Sequence, residues 1–150
     1  MTGEPFQFNQ VKGKIRALAE LAGANDAVLV VPLEATGLES DTGLKDYDDL
    51  ASLLAGASNE QVSMGRKTIA AFTITVDDVN DWATITLSAP IIWSAPTGNP
   101  IAKLLFCYDS DTTTGTDANV VPMLAYSFDS TPDGIDLQVN AHANGLIRLT

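Results

Sequence analysis

The hydrophobic pattern changes period once, near Arg66, and that change limits the chain to a few architectures. Before it, one stretch repeats its apolar residues every three or four positions, the spacing of one helix face. Val11, Ile15, Leu18, Ala19 and Ala22 follow this rule, and Leu21 widens the stripe. Asn9 is the expected N-cap and Gly23 the residue just past the helix end. Gly13 inside such a helix costs roughly 1 kcal/mol against alanine. Next, Ala27–Leu33 reads as a buried strand whose Pro32 points to an edge position or a strand end. Thr36–Lys45 reads as a surface loop. Tyr47–Ala55 reads as a short helix stopped by Gly56, and residues 57–65 as polar and turn-prone.

After Arg66 the period is two. Lys67–Val76 alternates as one strand, and Trp82–Leu87 alternates again. The acidic connector Asp77–Asp81 between them fits a hairpin. Pro90–Ala95, Ile101–Asp109, Val120–Phe128 and Ile135–Ala141 follow as apolar segments. Asn144-Gly145 then introduces Leu146–Leu149. Asn-Gly is the strongest short hairpin signal because both residues tolerate positive φ. The expected fold is mainly β (α+β): an antiparallel β-sandwich or partly open barrel of roughly six to eight strands, carrying an N-terminal amphipathic helix. Residues 1–8 are expected to form an arm, and residues 9–150 a single β-rich domain, long enough to bury a core without disulfides or metals.

Composition narrows the function. Nineteen acidic residues against eight basic ones give a formal net charge of −11, which argues against binding nucleic acid by counterion release. Lys12, Lys14 and Arg16 form a local basic cluster. On a helix Lys12 and Arg16 share a face, either solvated or set against an acidic partner. The single cysteine, Cys107, excludes an intrachain disulfide and reads as a small buried hydrophobe. The N-terminus lacks a basic start followed by an apolar stretch, so no secretory signal is expected. No apolar run approaches the roughly 20 residues of a membrane span.

Chemistry-bearing motifs are scarce. The only histidine, His142, lies beside a turn, and no nucleophile elbow accompanies it. The acidic pairs Asp48/Asp49, Asp77/Asp78 and Asp109/Asp111 sit where aspartate serves turns. No phosphate-cradling glycine motif occurs. One cysteine and one histidine do not make a zinc site. Asp109, Asp111 and Asp117 place oxygen ligands along a loop in a way that partly resembles a calcium site. Thr114 stands where an EF-hand needs glycine and Val120 where it needs glutamate. Trp82 and Trp93 are expected as core or interface anchors rather than sugar platforms. The expectation is a protein that is not an enzyme and carries no cofactor.

Several segments together resemble small virion proteins of tailed bacteriophages. They are the strand Leu104–Asp109 ending in Tyr-Asp, the Thr/Gly loop Ser110–Asn119 and the strand Val120–Phe128. The turn Pro132-Asp133-Gly134 and the closing Asn144-Gly145-Leu146 complete the likeness. The similarity spans nearly the whole chain and rests on turns and alternation rather than on a catalytic signature. It implies a structural role, most specifically a head decoration (cement) protein on the capsid surface. Its partners would be the major capsid protein and further copies of itself, a homotrimer being one form, with no nucleic acid or membrane involved. Interface contacts are expected from Phe6, Phe8, Lys12, Arg16 and Trp93. A tail, neck or fibre-base subunit is the alternative within the particle. A carbohydrate-binding module is the alternative from another class.

Overall fold

A computed structural model describes residues 5–142 and 145–149. Strands take 41% of it and helices 15%, in three antiparallel sheets with no closed barrel. The strands are β1 (Phe6–Gln7), β2 (Ala27–Glu34), β3 (Lys67–Ile69), β4 (Phe72–Asp77), β5 (Trp82–Leu87), β6 (Ile91–Trp93), β7 (Ile101–Asp109), β8 (Val120–Ser130), β9 (Leu137–Val139) and β10 (Ile147–Leu149). The largest sheet has the order β1-β8-β7-β2-β3, the second β10-β5-β4, and the third pairs β6 with β9. Apolar residues from all three sheets meet in one core around Phe8, Val30, Ile85, Trp93, Leu105 and Phe106.

The expected N-terminal helix is not continuous. Asn9–Val11 forms a 3-10 turn, and a five-residue helix α1 follows at Ile15–Ala19. Gly13 between them has φ +82°, a left-handed conformation that no helix interior accepts. Asn9 is not an α-helix cap: its N–H donates to the Lys45 carbonyl at 2.9 Å, and its side chain donates to Asp46. Gly23 does not end the helix either, since Leu21 already turns left-handed at φ 46°. The periodicity still identified the inward residues, for Val11, Ile15 and Ala19 are buried. The expected arm is corrected in part: Phe6 and Gln7 are strand, hydrogen-bonded opposite Ala125 and Leu124. Residues 1–4 lie outside the described residues.

Pro32 is in neither an edge strand nor a strand end, because β2 is flanked by both β7 and β3. β3 pairs only as far as Val30. The Pro32 carbonyl, on the β3 side, accepts from the Gln61 N–H at 2.9 Å. The missing proline N–H is on that same side, past the end of β3, where only the isolated Leu33–Glu60 bridge continues the pairing. The segment expected as a loop holds a short helix α2 (Asp41–Leu44), capped by Ser40 and burying Leu44. The next helix, α3 (Leu50–Ala55), starts at its Asp49 cap and stops at Gly56.

Two strand readings change. The run Lys67–Val76 divides at Ala70-Ala71, so that β3 joins the first sheet and β4 the second. The acidic hairpin between β4 and β5 is present. Asp77 Oδ1 accepts from the Val79 and Asn80 N–H groups, and Asp81 supplies φ 58°. The C-terminal hairpin is corrected: β10 pairs with β5, Ile147 opposite Ile85, while β9 pairs with β6. Only a His142–Gly145 bridge remains of the expected turn, and Asn144 lies outside the described residues.

Candidate interaction surface

The loop after β7 is organised by the protein's own donors. Asp109 Oδ1 accepts from the Asp111 N–H at 3.0 Å. Asp111 Oδ1 accepts from the N–H and hydroxyl of Thr113, and these bonds hold its carboxyl below the usual carboxylate range. Asp117 begins a 3-10 turn (Asp117–Asn119) and turns toward Arg66 instead of toward the other two. Among the described residues no group of three acidic, histidine or cysteine side chains is placed to hold a metal ion.

Arg66 sits between two carboxylates, a role that its spacing from them along the chain does not reveal. Its Nε and Nη2 donate to Glu60 at 2.7 Å each, and Nη1 and Nη2 to Asp117 at 2.6 and 2.9 Å. Each contact is a two-pronged fork, the strongest geometry open to a guanidinium. Hydrogen bonding to Arg66 holds the Asp117 carboxyl below its ordinary value. The two forks tie the segment before β3 to the turn before β8. Lys103 is a second partnered cation: its Nζ lies 2.9 Å from Asp41 and 3.3 Å from the Ser127 hydroxyl. Burial pushes the Cys107 thiol far up, which leaves it inert as a nucleophile.

The aromatic interface candidates are spent inside the chain. Phe6 and Phe8 are buried with ring centroids 5.5 Å apart. Lys45 and Lys103 approach the Phe6 ring at 5.0 and 5.5 Å. Trp93 is buried, and its indole N–H donates to the Gly65 carbonyl at 2.9 Å. Lys12 and Arg16 remain exposed but share no helix face, because Gly13 separates them. Arg16 pairs loosely with Glu20 at 3.6 Å. Trp82 is half-buried, with the Arg148 guanidinium 3.9 Å from its ring centroid.

Part of the exposed apolar surface lies on the sheet β10-β5-β4 and its hairpin. Alternation gives the sheet two unlike faces. Phe72, Ile74, Ala83, Ile85, Leu87, Ile147 and Leu149 face the core. Thr73 and Thr75 on β4 stand opposite Thr86 and Thr84 on β5, facing out. At the hairpin end Val79 is 90% exposed, and Val76 is 50% exposed although it belongs to the inward row. Val62, Ile92 and Ile135 are exposed elsewhere. Unlike the aromatics Phe6, Phe8 and Trp93, these valines carry no signal in the sequence, because alternation assigns Val76 to a strand face without showing how far it is covered.

No family model, no curated protein and no solved structure matches the chain.

Proposed function

We propose that this chain is a structural protein of a tailed-phage virion, specifically a decoration protein that binds the major capsid protein on the head surface. Multivalent burial of interface area would stabilise the lattice against internal DNA pressure, without chemistry. One observation carries the reading. Exposed apolar side chains and unpaired strand edges lie on a sandwich-like β-domain whose Arg66, Lys103, Asp117 and Glu60 charges are already partnered internally. Surface of that kind serves contact with other chains. The segments that carry the phage resemblance support it from another side. Leu104–Asp109 and Val120–Phe128 lie in β7 and β8, the central pair of the largest sheet, so the resemblance concerns the scaffold as a whole.

In this reading the chain self-associates, is made in the host cytoplasm and ends on the capsid surface, with no nucleic-acid contact. The test is binding to expanded empty heads from a phage lacking the protein. Decoration predicts saturation at a fixed ratio and a higher head melting temperature. Binding to tails or necks instead would move the protein elsewhere in the particle. Stabilisation by glycans or calcium, without binding to any virion part, would replace the reading with a carbohydrate-binding module.

A further inference from the structure

β4 is an edge strand. It is bonded to β5 alone, and among the described residues no other backbone hydrogen bond joins it to a neighbour. An open edge presents a row of N–H and C=O groups to any strand that arrives, and soluble domains blunt such edges with short strands, lysines, prolines or bulges. The other terminal strands of the three sheets are shorter, although β8 runs on from Tyr126 to Ser130 past the two-residue β1. β1 has two residues, and β3, β6, β9 and β10 have three each. β3 also begins with Lys67, and β10 carries Arg148. β4 has six residues, Phe-Thr-Ile-Thr-Val-Asp, with no proline, no basic side chain and an unbroken register against β5. Val76 adds a second sign, since it lies in the core-facing row with Phe72 and Ile74 yet is 50% exposed.

We propose that a second copy of this chain pairs with β4, antiparallel, about a two-fold axis at Ile74. Residues directly opposite in an antiparallel pair share a face, so inward residues must meet inward residues. Centring on Ile74 sets it against its own copy, Phe72 against the partner's Val76 and Thr73 against the partner's Thr75. An aromatic ring then covers the exposed valine, and threonine pairs face solvent. Charge favours this arrangement. The acidic hairpin ends (Asp77, Asp78, Asp81) lie at opposite ends of the joined strands, whereas parallel pairing would bring them together in a protein of net charge −11. The inference rests on the self-association in the proposed function, and it gives a two-fold dimer in place of the trimer that the phage resemblance implies.

Light-scattering chromatography of the full chain, without phage heads, tests it. The expected mass is twice the 15.8 kDa of one chain. T73K/T75K sets lysine opposite lysine at both outward pairs and weakens the dimer roughly tenfold. T73K/T75E sets lysine opposite glutamate and restores it. Both positions are exposed, so neither variant enters the core. In the unmodified protein, amide exchange over residues 72–77 slows as concentration rises through the dimer range, while that of residues 147–149 stays constant. A monomer at every concentration, a dimer indifferent to T73K/T75K, or concentration-independent exchange over residues 72–77 overturns the pairing. A dimer that binds no heads keeps the pairing and removes the head-decoration reading. A monomer that binds heads does the reverse.

Discussion

Arg66 carries more of the fold's polar order than any other single side chain described. Replacing it with methionine leaves Glu60 and Asp117 without their fork. The expected cost is about 2 kcal/mol, since both acids keep some contact with water. That corresponds to a melting temperature lower by roughly 6 °C. The pair also sets an acid limit. Arg66 holds the Asp117 carboxyl below its ordinary 3.8. Its contribution is therefore complete above pH 3.8 and is lost as pH falls through the depressed folded value. Urea midpoints followed from pH 7 to pH 2.5 should fall less steeply in R66M than in the unmodified protein. Equal slopes would mean that the pair has no part in acid unfolding.

Local elements show where pattern and structure part. Periodicity chose the buried residues Val11, Ile15 and Ala19 correctly, but it implied a continuous helix through Gly13. Gly13→Ala separates the two accounts. In a helix it would raise stability by roughly 1 kcal/mol. At φ +82° it should lower stability by about 1–2 kcal/mol, although the added Cβ meets nothing within 4 Å. Thermal melts of the two proteins decide the sign. Turn chemistry was legible at Asp77–Asp81 because a hairpin depends on its own few residues. It misled at Asn144-Gly145 because the partner of β10 is β5, far away in sequence, and local signals do not encode that pairing. Gly145 has φ +84°, and an added Cβ would lie 2.9 Å from the Ile85 carbonyl. Gly145→Val should therefore detach β10, read as faster amide exchange at residues 147–149 with exchange at β9 unchanged. Equally fast exchange in both strands would favour the β9–β10 hairpin instead.

At the scale of the whole molecule, the mainly β class and a single core were readable from the alternation after Arg66. The division into three sheets was not, because the run Lys67–Val76 carries no mark at Ala70-Ala71 beyond two small residues. The interaction surface was harder still. Aromatic residues are prominent in a sequence, yet Phe6, Phe8 and Trp93 are consumed by the core, and the exposed Val76 and Val79 resemble ordinary strand and turn residues. The Asp109–Asp117 loop had the composition of a cation site, but Arg66 takes one of its carboxylates and backbone donors take the others. Millimolar calcium should accordingly leave the melting temperature unchanged, and a rise of several degrees would reinstate a cation site there. The central proposal is that this domain decorates a phage head. The most direct measurement is the stoichiometry of the purified chain on expanded empty heads that lack it, read together with the heads' melting temperature. Decoration predicts saturable binding at a fixed ratio to the capsid protein and a higher melting temperature. Heads that take up no protein and melt unchanged would contradict it.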